Sequence, residues 1–301
     1  MGNVWSAHHR FLGRDVAVKV LSDAFSGIEE FRARLVREAR LTARVDSPHV
    51  VRVLDCKAPE NASPYIVLEK LDGEDLATRM DRAGVLSVPE AQIVVRQLSR
   101  ALAAVHEAGV VHGDVKPENV VVSDGEGALR VKLIDFGVAR AKDEAPFASD
   151  VHPSGTPSAM SPEQICAPTE ISNHWDVWGL AALAYTVLTG RSPFDGDSIE
   201  SILYATTQGP RIAPSTFRSD LGPAVDALFE RAFSRDAAER HASVTEFADA
   251  FDAALDAENE IVQAPSSDRT IIAIGQISEV RERAETVLPL VRRKVRAPLA
   301  A

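Results

Sequence analysis

The feature that most constrains the fold is a pair of polar segments separated by a short apolar hairpin. The first segment, HGDVKPEN, covers residues 112–119, and the second, DFG, covers residues 135–137. Between them lie two β-branched runs, at 120–122 and 130–134, joined by a turn rich in Gly, Ser and Asp. Because these segments flank one hairpin, we expect their carboxylates to converge on a single crevice.

Strand and helix patterns in the first 70 residues predict a small sheet that carries one helix. Alternation along the β-branched segment VAVKVL puts Ala17 and Lys19 on one face of a strand. Apolar residues at three- and four-residue steps predict a helix over 28–44, opened by a capping box of Ser26 and Glu29. The predicted strands cover residues 16–21, 50–55 and 65–69.

The rest of the chain is predicted to be mostly helical. Ser87 and Glu90 form a second predicted capping box with Pro89 in the first turn, and Gly109 is expected to end that helix. Further helices are predicted at 175–189, 199–206, 224–233 and 244–257. The end of the chain reads as a linker at 264–268, a short helix at 277–288 and a basic segment at 292–296.

Composition and charge argue against several classes of protein. The chain has 301 residues, of which 45% are hydrophobic and 26% charged, as in a folded globular protein. Its net charge of −11 disfavours nucleic acid as a main partner. Cys56 and Cys166 show no CxxC spacing, so a disulfide framework is not expected and a cytoplasmic location fits. No signal-peptide pattern and no apolar run of about 20 residues occurs, so no membrane span is expected.

The two polar segments carry the groups that phosphoryl transfer requires. Asp114 can orient a hydroxyl and accept its proton, and Lys116 can neutralise charge on the group being moved. Asn119 and Asp135 offer oxygen ligands of the kind that Mg²⁺ prefers. In such chemistry the protein mainly positions groups and stabilises charge, so the spacing of these residues matters more than their reactivity.

The same segments resemble the catalytic loop and metal-binding turn of the eukaryotic-like (Hanks-type) serine/threonine protein kinases of bacteria. Three more motifs occur in the order and spacing of that family: VAVK at 16–19, GTPSAMSPEQ at 155–164 and DVWG at 176–179. The resemblance covers roughly residues 1–255.

This resemblance implies an α+β fold with two lobes. The small β-rich N-lobe is expected to cover residues 1–70, and the larger, mostly helical C-lobe residues 71–257. Residues 258–301 are expected to form a linker and a basic tail.

The resemblance also implies catalytic roles for five residues. Lys19 would hold the ATP phosphates and pair with Glu38 on the predicted helix. Asp114 would align the acceptor hydroxyl, and Lys116 would offset charge in the transition state. Thr156 would form hydrogen bonds close to both of them.

A cofactor site for ATP and Mg²⁺ follows from the same resemblance. Asn119 and Asp135 would hold the metal ion. The implied nucleotide-binding residues are Gly2, Val4, Ala17, Lys19, Glu69, Leu71 and Val121. Two structural roles are also implied, an ion pair between Glu163 and Arg240 and support of the catalytic loop by Asp176.

The implied activity is transfer of the ATP γ-phosphoryl group to serine or threonine hydroxyls of protein substrates. Two alternatives stay open. His-x-Asp is also the signature of small-molecule phosphotransferases, although the segment at 155–164 favours a protein kinase. A pseudokinase that binds nucleotide or acts as a scaffold is the second alternative. The protein substrate, the upstream signal, the oligomeric state and the role of the basic tail cannot be read from the sequence.

The chain departs from the family at the glycine-rich loop. Protein kinases carry G-x-G-x-x-G-x-V, of which Gly2 and Val4 match only the last glycine and the valine. The N-lobe is therefore expected to lack its first strand. Either the start of the chain is assigned too late or the phosphate-covering loop is truncated. A real truncation would lower both ATP affinity and turnover, because backbone N–H groups that cradle phosphates would be missing.

A second departure concerns Gly113, which stands where many of these kinases have arginine. That arginine pairs with a phosphorylated residue of the activation segment, here residues 138–154. We therefore predict that catalysis depends little on phosphorylation of Ser149 or Ser154. Replacing both serines with alanine should leave kinase activity nearly unchanged, and a large loss of activity would refute this prediction.

Overall fold

The computed structural model describes residues 2–11, 13–125, 128–144, 150 and 152–263. Contacts between residues group the chain up to Leu255 into one compact unit. The predicted linker, the short helix at 277–288 and the basic segment at 292–296 lie outside the described residues, as does Ser149. The predicted boundary between the lobes at residues 70 and 71 stays a prediction.

The N-lobe contains a four-stranded antiparallel sheet. Its strands are β1 (Gly2–His9), β2 (Arg14–Leu21), β3 (Val53–Lys57) and β4 (Tyr65–Glu69), in the spatial order β1-β2-β4-β3. Strand β1 was not predicted from the sequence, because its residues are mostly exposed and show no buried alternation. It pairs with β2 over eight positions, from Gly2 opposite Leu21 to His9 opposite Arg14.

One of the predicted capping boxes is wrong. The region contains two helices, α1 (Asp23–Ser26) and α2 (Glu29–Ala43). Ser26 ends the first of them, and its Oγ donates a hydrogen bond of 3.1 Å to the Asp23 carbonyl. Helix α2 begins after Ile28, which offers no capping side chain. Ser26 is therefore engaged with the turn before it and does not cap α2.

The C-lobe helices agree with the sequence patterns more closely. Ser87 and Glu90 form the predicted capping box, and Gly109 follows the helix with φ of 73°. The helices are α3 (Leu76–Ala83), α4 (Val88–Glu107), α5 (Pro162–Cys166), α6 (His174–Thr189), α7 (Ile199–Thr207), α8 (Pro223–Ala232) and α9 (Val244–Gln263). Helix α9 extends six residues beyond its predicted end. No helix among these residues is long and apolar enough to cross a lipid bilayer.

Two separate apolar clusters stabilise the lobes. In the C-lobe, aromatic rings surround Trp178 of α6, which stacks on Phe194 with ring centroids 5.1 Å apart. The smaller N-lobe cluster centres on Leu35 and Ile66, and Cys56 packs against it. Cys166, in contrast, is exposed at the end of α5, and neither cysteine forms a disulfide.

Short strands place the two polar segments next to each other. They are β5 (Glu74–Asp75), β6 (Val110–Val111), β7 (Val120–Gly125), β8 (Ala128–Leu133) and β9 (Arg140–Ala141). Strands β7 and β8 form the predicted hairpin, with Val120 opposite Leu133. Just beyond that pair, the Ile134 N–H donates to the Asn119 carbonyl at 2.9 Å. The ends of HGDVKPEN and DFG are thereby fixed against each other.

Candidate active site

A lysine of the N-lobe sheet joins the helix α2 to the DFG segment. Lys19 Nζ lies 2.6 Å from Glu38 Oε1 and 2.9 Å from Asp135 Oδ1. Glu38 is on the buried face of α2, beside Leu35 and Ala39. The lysine therefore links the two lobes at the back of the cleft.

The surroundings of these three groups shift their pKa values. Burial alone would lower the pKa of Lys19, but Glu38 and Asp135 outweigh it and leave that pKa raised. Burial raises the pKa of Glu38, with Lys19 opposing. Burial also opposes ionisation of Asp135, but Lys19 and the Gly137 N–H hold its pKa below the usual value. The ammonium and the DFG carboxylate thus both stay charged at neutral pH.

Asp114 is held from three directions. Its Oδ1 accepts a hydrogen bond of 2.8 Å from the Thr156 backbone N–H. Its Oδ2 lies 2.9 Å from Lys116 Nζ and accepts a hydrogen bond of 3.0 Å from Asn119 Nδ2. The Lys116 ammonium also donates to the Thr156 hydroxyl. A carboxylate has about four lone-pair sites, so Asp114 can still accept a hydrogen bond from a substrate hydroxyl.

A buried carboxylate fixes the backbone that carries Asp114. Asp176, in the first turn of α6, accepts hydrogen bonds of 2.9 Å from the His112 N–H and 2.8 Å from the Gly113 N–H. Burial would raise the pKa of Asp176, but the hydrogen bond from His106 and the charges nearby leave that pKa lowered. The His112 ring contacts Phe136 edge-on at 4.9 Å, which connects the catalytic loop to DFG.

The segment at 155–164 packs directly on the catalytic loop. Gln164 Nε2 donates to the Gly113 carbonyl at 2.8 Å. Glu163 forms two hydrogen bonds of 2.7 and 2.8 Å with the guanidinium of Arg240, whose side chain is 0% exposed. The ion pair inferred from the resemblance is therefore present in the structure, 77 residues apart in sequence.

Two oxygen atoms in the cleft suit a magnesium ion. Asn119 uses its Nδ2 to bind both the carbonyl and the carboxylate of Asp114, so its Oδ1 is left as the ligand atom. Asp135 uses Oδ1 for Lys19 and Gly137, and its side chain is about half exposed. The described residues contain no group of three His, Cys, Asp or Glu side chains that could enclose a metal. Two protein oxygens fit Mg²⁺, which usually completes its shell with water and phosphate oxygens.

A cavity of about 300 Å³ opens between the N-lobe sheet and these groups. The predicted nucleotide-binding residues that line it are Val4, Ala17, Lys19, Glu69, Leu71 and Val121. Val4 is 64% exposed, an unusual position for an apolar strand residue, and it faces the cavity that a nucleotide base would fill. The Leu71 N–H has no acceptor among the described residues, as expected of a group that binds a ligand.

The residues that line the cavity differ from the predicted nucleotide-binding residues in two ways: one predicted residue is absent, and several others were not predicted. Gly2 does not line it; a Cβ at Gly2 would lie 2.7 Å from the Val20 carbonyl oxygen, so this glycine permits close pairing of β1 with β2. Glu38 and Asp135 also line the cavity, although the sequence assigned them catalytic and metal-binding roles. The lining residues that sequence reasoning missed are Trp5, Ser6, Val51, Leu68, Lys70 and Ile134. Alternation along β1 did not indicate Trp5, because β1 itself was not predicted.

Comparison with known families decides the assignment. Residues 1–250 match the protein kinase domain family. The chain belongs to the protein kinase family. Among curated proteins, serine/threonine-protein kinase PknA of Mycobacterium tuberculosis is 37% identical over 254 residues, which cover 83% of this chain and 57% of PknA. Serine/threonine-protein kinase PknE of Mycobacterium bovis is 34% identical over 255 residues, covering 85% of this chain and 44% of PknE.

Solved structures support the same family. The crystal structure of the PknI kinase domain from Mycobacterium tuberculosis superposes with a TM-score of 0.64 at 30% identity, covering 84% of this chain and 90% of that chain. The inferred two-lobed α+β fold and the bacterial Hanks-type family are confirmed. The chain spans about half the length of the curated relatives that it matches.

One glycine of the kinase is predicted to be required for activity more than for folding. Gly155 has φ of +124°, and a Cβ there would lie 3.2 Å from the Gly113 carbonyl and 3.4 Å from Asp114 Oδ1. The backbone conformation alone costs a side chain about 1–3 kcal/mol. Gly155→Ala should therefore displace Asp114 and lower kcat about tenfold, measured by steady-state kinetics. Gly84→Ala is the matched control, since Gly84 also has positive φ but no atom within 4 Å. Equal losses of kcat in both variants would contradict the prediction.

Proposed function

We propose that the chain transfers the γ-phosphoryl group of Mg·ATP to serine or threonine hydroxyls of protein substrates. The observation that carries this proposal is that Asn119 links two charged clusters, because its side chain binds Asp114 and its carbonyl accepts from the Ile134 N–H beside Asp135. Lys19, Glu38 and Asp135 form the first cluster, and Asp114 with Lys116 forms the second. The hydrogen bond between Asn119 and Asp114 joins the metal-binding side to the acceptor side.

Each residue has a distinct part in the proposed reaction. Lys19, kept in place by Glu38, would orient the ATP phosphates. Asp114 would align the acceptor hydroxyl and take up its proton, with Lys116 stabilising charge on the transferred group. Bound between Asn119 and Asp135, Mg²⁺ would supply charge neutralisation at the phosphates.

The apolar part of the cleft supports a nucleotide base. Val4 and Ala17 from the N-lobe sheet and Val121 from the hairpin line the same cavity, so a flat ring could be covered from two sides. Glu69 ends β4, and Leu71 lines the same cavity two residues later. The Glu69 carbonyl and the Leu71 N–H would bind the polar edge of adenine. Gly2 does not line the cavity, so its part in the proposed site is to begin β1, the strand that carries Val4.

Protein acceptors are favoured over small molecules by the segment at 155–164. Thr156 touches both Asp114 and Lys116, while Gln164 binds the catalytic loop backbone. Beside this segment lies an open cavity of about 250 Å³, lined by Lys116, Thr156 and Leu183 among others, where an extended peptide could lie next to Asp114.

The proposal is tested by phosphoryl transfer to a generic protein acceptor. The purified chain should incorporate label from [γ-³²P]ATP only with Mg²⁺ present, and acid hydrolysis should recover the label on serine or threonine. Lys19→Met should reduce incorporation by at least about 100-fold, because the phosphates lose their anchor. Label on tyrosine would overturn the proposed specificity. Binding of ATP without any transfer would favour a pseudokinase.

A further inference from the structure

A buried carboxylate joins the end of the activation segment to the helix α2. Asp150 Oδ2 accepts a hydrogen bond of 2.9 Å from Arg37 Nη1. Both side chains are nearly closed off from solvent, with exposed fractions of 10% and 9%. Arg37 immediately precedes Glu38, so this contact is made one residue away from the partner of Lys19.

A second arginine holds Asp150 from the C-lobe side. Arg140, in β9, donates a hydrogen bond of 3.0 Å to the Asp150 backbone carbonyl, and its Nη2 lies 3.7 Å from Asp150 Oδ1. The same guanidinium donates a hydrogen bond of 2.7 Å to the Pro168 carbonyl and lies over the Trp175 ring. Asp150 therefore bridges Arg37 on α2 and Arg140 on β9.

The positive charges at this place are already compensated. Arg37 also lies 3.5 Å from Glu144, and Arg34 lies 3.5 Å from Glu30. Burial, with Arg37 and Arg34 nearby, lowers the pKa of the Arg140 guanidinium, and Asp150 opposes that shift. Glu30, Glu144 and Asp150 thus place negative charge next to Arg34 and Arg37.

Little space remains for a phosphate group. The cavity beside Arg37, Asp150 and Ser154 has a volume of about 20 Å³, which is room for about one water molecule. The Ser154 hydroxyl already accepts a hydrogen bond of 3.2 Å from Arg140 Nη2. A phosphoryl group on Ser154 would have to displace Asp150 from these contacts.

We propose that Asp150 is a positioning residue, a fixed carboxylate that holds α2 against the activation segment and so keeps Glu38 in reach of Lys19. It takes the place of the negative charge that a phosphorylated activation segment would provide, which agrees with the absence of an arginine at Gly113. This inference rests on the proposed function for its effect on catalysis, but its effect on nucleotide binding can be measured separately.

A double-mutant cycle tests the route through Glu38. Binding of an ATP analogue is measured by calorimetry for the parent, Asp150→Asn, Glu38→Gln and the double variant. We expect Asp150→Asn to weaken binding at least about fivefold in the parent, and less than about twofold when Glu38 is already replaced. Equal factors in both backgrounds would overturn the proposal. Should Asp150→Asn fail to fold, Arg37→Gln breaks the same contact from the α2 side and is used in the same cycle.

Two further arms separate charge from general surface effects and from phosphorylation. Asp143→Asn is the matched control, because Asp143 is an exposed residue of the activation segment that pairs with Arg44. This substitution should change binding of the analogue less than about twofold. Phosphatase treatment of the parent, or replacement of Ser149 and Ser154 by alanine, should leave kcat/KM within about twofold. A larger loss would show that phosphate supplies the charge and would overturn the proposal. A parent that binds the analogue but transfers no phosphoryl group would refute the proposed function alone, since the binding cycle would still decide the role of Asp150.

Discussion

Replacing Asp114 with asparagine is expected to lower kcat by about 10²–10⁴-fold, the usual contribution of a positioned general base. The amide keeps an oxygen that can accept the Thr156 N–H, now 2.8 Å from Asp114 Oδ1. The new NH₂ group cannot accept from Lys116 or Asn119, but Asn119 keeps its 2.8 Å hydrogen bond to the backbone carbonyl of residue 114, which should hold the loop. What is lost is the negative charge that aligns the acceptor hydroxyl and receives its proton. The dissociation constant for Mg·ATP should therefore change little, since Lys19 and Asp135 are untouched.

The measurement combines steady-state kinetics with equilibrium nucleotide binding on the same preparations. Asp124→Asn is the matched control, because Asp124 is an exposed carboxylate of the β7–β8 hairpin that pairs with Arg79. It should leave kcat within about twofold. Equal activity in the parent and the Asp114 variant would remove the proposed role of Asp114.

The largest expected effect on stability comes from the ion pair of Glu163 and Arg240. Glu163→Ala is expected to lower the free energy of unfolding by about 3 kcal/mol, because both terminal nitrogens of a fully buried guanidinium lose their carboxylate. Arg240 also donates to the Ser234 carbonyl and lies 4.8 Å from the Trp178 ring centroid. These contacts remain but cannot neutralise the charge. Urea unfolding of parent and variant measures the difference.

A surface ion pair provides the comparison for this experiment. Arg211 and Glu230 lie 2.7 Å apart, yet the Glu230 side chain is largely exposed. Glu230→Ala should therefore cost less than about 1 kcal/mol. Similar changes in unfolding free energy for the two glutamate variants would show that burial of Arg240 does not make its ion pair more stabilising than a surface pair.

Local sequence signals predicted the parts of the fold that local contacts determine. The capping box of Ser87 and Glu90 and the glycine end of α4 at Gly109 both involve residues within one helical turn, and both are confirmed. The wrong prediction of a capping box at Ser26 also has a local cause. Ser22 and Ser26 both precede acidic residues, and the pattern alone does not reveal that a one-turn helix begins after Ser22 and ends at Ser26.

Contacts between distant parts of the chain were found only where family resemblance indicated them. Lys19 and Asp135 are 116 residues apart, and no periodicity relates them. The motifs of the kinase family linked them, and the structure brings them into contact. Arg37 and Asp150 are 113 residues apart and belong to none of the kinase motifs, so no sequence pattern indicates that contact. Strand β1 was missed for a related reason, because its pairing with β2 does not require a buried face.

One binding experiment tests most directly whether the cleft holds a nucleotide together with its metal ion. Affinity for a non-hydrolysable ATP analogue is measured with and without Mg²⁺, for the parent and for Asp135→Asn. We expect Mg²⁺ to tighten binding at least about tenfold in the parent, because Asn119 and Asp135 would each supply an oxygen ligand beside the phosphate and water oxygens. This gain should be largely lost in the variant. Binding by the parent that is indifferent to Mg²⁺, or a full Mg²⁺ effect in Asp135→Asn, would contradict the account.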